Sequence, residues 1–200
     1  MNSSYKIDPD NITNFDLDEH GLQLNIIFWI CVAGKTAHTI KRCVENLFVE
    51  ARNSSSIVSP FDLIRHIGET NLASTLKRNG IGCYNAKAAA IWKLVNSRLN
   101  LKTCSYEDLK AIKGIGRKTA KCFLIHSRAD TIAAGLDVHI LTALRRRGYM
   151  NVPLATPSSD REYRLWENIV LDIVKLENKT VAEWDLEEWK LGRKLNKEEN

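Results

Sequence analysis

Lys118 and Asp137 are the residues of this 200-residue sequence whose types and surrounding segments could support a chemical reaction. A neutral lysine amine can attack an electrophilic carbon and form a Schiff base. A fixed carboxylate can stabilise the positive charge that develops while a bond breaks. Each residue also has a simpler interpretation, since Lys118 could merely contact a phosphate and Asp137 could merely cap a helix. The surrounding segments decide which interpretation is favoured.

The segment around Lys118 predicts two helices joined by a tight turn. Leu109 and Ile112 end a short helix with one apolar face, and a helical period resumes over Arg117–His126. The two glycines of the turn are expected to adopt unusual dihedrals or to approach another group closely. Backbone N–H groups at the start of the second helix would form an anion site, for which a DNA phosphate is the predicted ligand. The predicted contacts to the DNA backbone come from Lys113, Gly114, Ile115, Gly116, Arg117 and Lys121.

Asp137 follows this hairpin and precedes another predicted helix. Aspartate is a favoured N-cap, so Asp137 is predicted at or near the first position of that helix. His139 could orient the carboxylate of Asp137 or be a structural histidine of the same helix. Further along, residues 145–147 are three consecutive arginines, which could grip phosphates or form a solvated helix end.

Residues 114–118, followed by residues 136–139, resemble the helix-hairpin-helix DNA glycosylases. Because a lysine stands in the second hairpin helix, the chain is most similar to the bifunctional glycosylase/AP lyases of that superfamily. Shorter segments extend the resemblance to the compact 8-oxoguanine branch, from about Asn25 to Lys194. These segments are Asn25–Cys31 with Thr36 and Ala37, Cys83–Ala88, and Asp185–Trp189 with Gly192–Lys194.

The resemblance implies an all-α helix-hairpin-helix glycosylase fold, with two helical lobes and the active site in the cleft between them. The enzyme would flip a damaged base, 8-oxoguanine in the first instance, out of the duplex during base excision repair. Lys118 would attack the sugar C1′ and cut the strand by β-elimination, while Asp137 would stabilise charge on the sugar. The candidates for the base pocket are Trp29, Tyr84 and Trp189.

The sequence departs from that branch at three places. Residues 32–35 replace a proline and a polar residue, Cys83 replaces an aromatic residue, and the tail is shortened between Trp189 and Gly192. All three changes would fall near the base pocket, so other substrates stay open. One alternative is a different modified base, such as a modified pyrimidine, or a phage-type base-modifying enzyme on the same fold. Another is a non-catalytic helix-hairpin-helix DNA-binding module, which would not need both Lys118 and Asp137.

Composition is consistent with a polyanionic partner. The chain carries 29 Lys and Arg against 24 Asp and Glu, a net charge of +5. Its five cysteines lack the paired short spacing of a disulfide framework or zinc site. None follows Cys122, which excludes the C-terminal iron–sulfur cluster of some relatives. No cofactor is expected, although the hairpin could take a monovalent cation.

No signal peptide and no apolar run long enough to span a membrane is recognised in the sequence. We therefore expect a monomer that binds double-stranded DNA and no membrane. It would act in the cytoplasm, at the nucleoid, or in the nucleus of a eukaryote, and would not be secreted.

Helical periods dominate the chain and strand signals are nearly absent, which predicts an all-α fold. Residues 1–200 are expected to form a single unit with a loose N-terminal arm at residues 1–15. Within it, residues 105–128 form the helix-hairpin-helix, and the N-terminal helices pack with residues 158–194 as the second lobe. The helices are predicted at about 16–34, from 36 through 47, at 60–67, 69–78 and 84–95, as a short helix that ends at 109–112, and at 117–126, from 138, 158–176 and 180–190.

Overall fold

The computed structural model describes residues 5–53 and 56–198, and within these ranges the chain is helical with no strand. The all-α prediction is confirmed. The helices are α1 (Glu19–Val32), α2 (Ala37–Asn53), α3 (Pro60–Ile67), α4 (Glu69–Arg78), α5 (Tyr84–Asn96), α6 (Tyr106–Lys110), α7 (Arg117–Ser127), α8 (Val138–Arg146), α9 (Asp160–Leu176) and α10 (Val181–Glu198).

Helix boundaries follow the capping residues. The Ser59 side chain accepts a hydrogen bond from the Asp62 amide, and Pro60 opens α3 as the sequence predicts. Asp18 caps α1 by accepting from the Gly21 amide, so this helix begins at Glu19 and not near residue 16. Helix α10 is longer than predicted and continues to Glu198. The predicted loop at residues 52–56 overlaps the end of α2, and its residues 54 and 55 lie outside the described ranges.

Two compact units divide the chain. The first contains the described residues up to Ile12 and Asp16–Phe123, and the second contains Thr13–Phe15 and the residues from Leu124 onward. Residues 158–194 therefore share a unit with α8 and not, as predicted, with the N-terminal helices. The reason is a separate apolar core built from α8, α9 and α10, in which Tyr163, Trp166 and Trp184 are buried.

Helix α1 is the centre of the first unit. Every residue from Leu22 to Val32 is buried, so the helix has no solvent-facing side. Such all-round burial is typical of a core helix and explains why no amphipathic stripe is visible in its sequence. Helices α2, α3 and α5 pack against it.

Residues 5–12 are part of the first unit, in contrast to the loose arm predicted for residues 1–15. The Tyr5 ring stacks on Phe48 with centroids 5.2 Å apart, and its hydroxyl donates to the Val58 carbonyl at 2.6 Å. The Ile7 amide donates to Glu45 Oε1 at 2.9 Å. These contacts are isolated and lie in extended chain, so they leave no helical period in the sequence. Residues 1–4 lie outside the described ranges.

The hairpin consists of α6, the turn at residues 111–116 and α7. Gly114 has φ +105°, and a Cβ placed on it would lie 2.7 Å from the Cβ of Ala90 in α5. Gly114 therefore meets both expectations, unusual dihedrals and close approach. Gly116 meets neither, because its φ is not in the left-handed region and nothing lies within 4 Å of a Cβ placed there.

We predict that alanine substitutions of the two turn glycines change the stability of the protein by different amounts. Gly114→Ala should lower the free energy of unfolding by about 1–3 kcal/mol, since it strains the backbone and collides with α5. Gly116→Ala should change it by less than about 0.5 kcal/mol. Urea denaturation followed by circular dichroism measures both. Equal losses in the two variants would contradict the assignment of only Gly114 to the fold.

Candidate functional site

Lys118 lies in the first turn of α7 and is half-buried. Its Nζ is 4.9 Å from the centroid of the Trp29 indole, which is 8% exposed on the core helix α1. This distance is within the range of cation–π contacts. The fold of the first unit thus brings together the predicted nucleophile and one of the predicted base-pocket residues, although they are far apart in sequence.

Lys87 anchors the end of α1 that follows Trp29, a role that the sequence does not predict. The side chain is 6% exposed, and its Nζ donates to the carbonyls of Cys31 at 2.5 Å and Ala33 at 3.0 Å. A lysine at a helix C-terminus satisfies carbonyls that have no partner within the helix. Burial lowers the pKa of the Lys87 amine. The feature of the sequence that could have indicated this role is a lysine within the alanine-rich segment that forms α5.

Cys31 is not a candidate nucleophile, although it lies two residues from Trp29. Its thiol is fully buried, and this burial raises its pKa to about 12. A thiol with such a pKa is protonated at neutral pH and reacts slowly. The Cys31 thiol therefore does not supply a nucleophile beside Trp29.

The predicted contacts to the DNA backbone differ in exposure. Lys113, Gly114 and Gly116 are exposed, and Arg117 is half-buried. The other two belong to the protein interior. Ile115 is 3% exposed and anchors the turn, whereas Lys121 is 8% exposed and holds its Nζ 5.2 Å from the Tyr106 ring centroid.

Asp137 is the N-cap of α8, as predicted, and is half-buried. Its Oδ1 accepts hydrogen bonds from the amides of His139 at 2.9 Å and Ile140 at 3.1 Å. These two bonds fix the orientation of the carboxylate. His139 donates to Asp137 through its backbone amide. Its ring faces α10: a Cβ placed on Gly192 would lie 3.9 Å from His139 Nδ1.

The irregular segment that leads to Asp137 is held by two buried side chains of α9. The Tyr163 hydroxyl accepts from the Leu136 amide at 3.0 Å and donates to the Ala134 carbonyl at 2.9 Å. Glu167 Oε1 accepts from the Ala134 amide at 2.9 Å. A loop without secondary structure thereby gains fixed backbone partners, which position the residue at its end. The sequence contains no local signal for this support, because α9 lies more than twenty positions later.

The three arginines at residues 145–147 form ion pairs and hydrogen bonds within the second unit. Arg146 and Arg147 both pair with Glu188, a carboxylate that is 5% exposed, and Arg147 also pairs with Glu177 at 2.5 Å. Arg145 donates to the Pro153 carbonyl at 2.7 Å. Arg146 and Arg147 are nevertheless exposed at the end of α8, as a solvated helix end requires, and they also neutralise a buried carboxylate of α10. Phosphate binding by this run stays a prediction.

The two other base-pocket candidates are partly exposed and have cations over their rings. The Arg193 guanidinium is 4.7 Å from the centroid of Trp189, and Lys77 Nζ is 5.4 Å from that of Tyr84. Tyr84 belongs to the first unit and Trp189 to the second.

Two further polar features escape sequence reasoning. His126 is fully buried and bonds Thr13 Oγ1 at 2.7 Å through Nδ1 and Asp185 Oδ2 at 3.2 Å through Nε2. Asn25 on α1 is 6% exposed, and its buried Oδ1 has no hydrogen-bond partner among the described residues. An unpaired buried acceptor costs about 1–3 kcal/mol. The signal for Asn25 was a polar residue inside an otherwise apolar segment.

Within residues 5–53 and 56–198, no group of three or more His, Cys, Asp or Glu side chains could hold a metal ion. A search of the same described residues finds no helix with the length and apolar character needed to cross a membrane.

Residues 97–126 match the family model of the helix-hairpin-helix motif. Three solved structures share the fold. The 8-oxoguanine DNA glycosylase of Methanocaldococcus jannaschii is 24% identical, with 90% of this chain and 82% of that chain covered at a TM-score of 0.64. Tm1821, the 8-oxoguanine DNA glycosylase of Thermotoga maritima, is 21% identical, with coverages of 92% and 86% and a TM-score of 0.66.

The third structure is the Methanocaldococcus jannaschii 8-oxoguanine glycosylase/lyase in complex with a 15mer DNA containing 8-oxoguanine. It is 24% identical, with coverages of 92% and 86% and a TM-score of 0.64. No curated protein matches the chain. The predicted helix-hairpin-helix glycosylase fold is therefore confirmed over most of the chain.

We predict that two substitutions of Asp137 separate capping from charge. Asp137→Ala removes the acceptor of two amide hydrogen bonds and should lower the free energy of unfolding by about 1 kcal/mol. Asp137→Asn keeps an acceptor oxygen and should lie within a few tenths of a kcal/mol of wild type. Urea denaturation of the three proteins gives these values. A loss in Asp137→Asn as large as that in Asp137→Ala would mean that stability depends on the charge.

Proposed function

We propose that the protein is a base-excision-repair DNA glycosylase with AP lyase activity, in which Lys118 is the nucleophile. The observation that carries this proposal is the position of Lys118. It stands in the first turn of α7, the second helix of the hairpin, with its amine over Trp29. A lysine that served only to contact phosphate would be expected on an open surface, as Lys113 is.

The hairpin supports binding to double-stranded DNA. Phosphate groups bind backbone N–H groups at helix N-termini, and these contacts position a protein without reading sequence. The open space at Gly116 leaves the backbone at the start of α7 accessible to a phosphate oxygen. Lys113 is exposed in the same turn and adds a positive charge. In this proposal, Gly114 is required for packing against α5, and Gly116 is required for close approach of a DNA phosphate.

The reaction would proceed in two steps. In the first, the neutral Lys118 amine attacks C1′ of the flipped nucleotide, the N-glycosidic bond breaks, and the base leaves with the bonding electrons and takes up a proton. Loss of a proton from the amine and opening of the sugar ring give a Schiff base. In the second, a proton leaves C2′, the electrons move towards the imine, and the C3′–O bond breaks with release of the 3′ phosphate. Water then hydrolyses the Schiff base and frees Lys118.

Asp137 would supply the electrostatic part of the first step. Positive charge develops on the sugar as the glycosidic bond breaks, and a fixed carboxylate stabilises it. The two amide hydrogen bonds on Oδ1 and the support of the preceding loop by Tyr163 hold this carboxylate in one orientation. Preorganisation of this kind is what makes a charge effective in catalysis.

The favoured substrate is 8-oxoguanine, the base that the three structural neighbours are named for. Trp29 is the strongest candidate to contact the flipped base, since its ring lies next to the Lys118 amine. Trp189 and Tyr84 remain candidates with partly exposed rings. Excision of another modified base is the main alternative, and it is an outcome of the trapping experiment below.

We predict that borohydride traps the wild-type protein covalently on a duplex containing an abasic site or 8-oxoguanine. Lys118→Ala should abolish the adduct, because the amine that forms the Schiff base is missing. Lys113→Ala is the matched control, since it removes an exposed lysine of the same hairpin and should still be trapped. Denaturing gel electrophoresis of labelled oligonucleotides detects the adduct.

Three results of this experiment would change the proposal. Trapping that survives in Lys118→Ala would assign the nucleophile to another residue. Trapping by the wild type on duplexes with a different modified base, but not with 8-oxoguanine, would support the alternative substrate. Binding without trapping on any duplex would support a non-catalytic DNA-binding module.

We predict that Asp137→Asn lowers the single-turnover rate of 8-oxoguanine excision by about two to three orders of magnitude. The loss corresponds to roughly 3–4 kcal/mol of transition-state stabilisation by one preorganised group. Affinity for the duplex should stay equal or rise, since a negative charge near phosphates is removed. Gel-shift titration and quenched-flow cleavage provide the two measurements. Excision at the wild-type rate would leave Asp137 with the capping role alone.

A further inference from the structure

The C-terminal end of α1 is held by donors that lie beyond the helix. The buried Lys87 of α5 donates through Nζ to the carbonyls of Cys31 at 2.5 Å and Ala33 at 3.0 Å. The Val32 carbonyl between them accepts from the Lys35 amide at 3.0 Å. Three successive carbonyls thus have partners, although the last carbonyls of a helix have none within it. Two of the three bonds come from one side chain, which ties the last turn of α1 to α5.

Trp29 is carried by this last turn of α1. It precedes Cys31 by two residues and Ala33 by four, so the carbonyls that Lys87 holds belong to the same turn as the indole or lie directly after it. The Trp29 ring centroid lies 4.9 Å from Lys118 Nζ. A movement of this turn would therefore move the indole relative to the amine that the proposed reaction uses.

Helix α5 also fixes the other side of this contact. A Cβ placed on Gly114, in the turn that precedes α7, would lie 2.7 Å from the Cβ of Ala90. Ala90 is three residues after Lys87, so the two are neighbours on the surface of α5. One helix thus holds the indole through Lys87 and the turn before Lys118 through Ala90. All of these residues belong to the first unit.

We propose that Lys87 is a positioning residue for the Schiff-base reaction, and that it acts through Trp29 on the amine of Lys118. This inference rests on the proposed function. A lysine side chain is flexible, and an amine attacks fastest when it is already held near its reacting position. The Trp29 ring restricts the Lys118 amine, and Lys87 restricts the ring. A residue that never touches the substrate thereby controls the rate of the chemical step.

A merely structural role for Lys87 makes a different prediction. If its two hydrogen bonds only stabilised α1, their loss would lower the fraction of folded molecules, and each folded molecule would react at the wild-type rate. A positioning role lowers the rate constant itself. A duplex with a preformed abasic site is the suitable substrate, because it has no base that Trp29 could contact.

The test measures the single-turnover rate constant for strand cleavage at the abasic site, with protein in saturating excess. This rate constant does not depend on the fraction of folded molecules. Lys87→Met keeps the length of the side chain but removes the donor, and it should lower the rate constant about 10-fold or more, with DNA affinity within about twofold of wild type. Lys87→Arg keeps donors for both carbonyls and should stay within about threefold of wild type.

Lys93→Met is the matched control from the same helix. It removes an exposed lysine of α5 and should leave both the rate constant and the affinity unchanged. Wild-type rate constants in Lys87→Met would overturn the inference, as would a Lys87→Arg variant as slow as Lys87→Met. A loss that appears only in affinity for the duplex would also overturn it.

A double-mutant cycle tests whether Lys87 acts through Trp29. Trp29→Leu should itself lower the rate constant for abasic cleavage. Adding Lys87→Met to Trp29→Leu should lower it by no more than about a further twofold, because the two changes remove the same restraint. Losses that multiply in the double variant would mean that Lys87 acts by another route and would overturn the inference.

The behaviour of the wild type distinguishes this inference from the function on which it rests. A wild type that binds the duplex but does not cleave the abasic site would overturn the proposed lyase and, with it, the role of Lys87. A wild type that cleaves abasic DNA at the same rate constant as Lys87→Met would overturn only the role of Lys87.

Discussion

The burial of α1 from Leu22 to Val32 is the constraint on which the first unit depends. The last carbonyl groups of a helix have no partner within the helix, and each one that is buried and unpaired costs about 1–3 kcal/mol. Lys87 satisfies two of these carbonyls from α5. Ala90, one turn further along α5, is the residue against which Gly114 packs. Helix α5 therefore supports both the helix that carries Trp29 and the turn of the hairpin, which directly precedes α7 and Lys118. The geometry around the lysine is a consequence of this shared support.

The second unit positions Asp137 by a different physical device. Where the first unit uses a buried helix end, the second uses buried side chains that bond to irregular backbone. Tyr163 and Glu167 replace the hydrogen bonds that the segment before α8 does not make within secondary structure. Both residues also belong to helix α9, whose apolar face forms the core. The loop is therefore fixed to a packed helix, and this helps to hold the capping residue Asp137 in one position.

The sequence predicts features that are local and misses those that connect distant segments. The caps at Ser59 and Asp137 and the turn at Gly114 follow from residue types within four positions of each other. Lys87 and its carbonyl partners are more than fifty positions apart, and Thr13 and His126 are separated by 113. Such pairs have no periodic signature. Gly116 lacks the unusual dihedrals that the sequence suggests, and its close approach to a phosphate stays a prediction.

Thr13–Phe15 belong to the second unit although they lie near the N-terminus, and this affects how the protein folds during synthesis. The Asn14 amide donates to the His126 carbonyl at 2.9 Å, and Thr13 bonds the His126 ring. During synthesis, Thr13–Phe15 leave the ribosome before most of the first unit has been made. Their partner His126 follows more than one hundred residues later. The second unit is thus not a contiguous piece of chain. A fragment that starts after the first unit would lack this segment and both of the hydrogen bonds that it makes to His126.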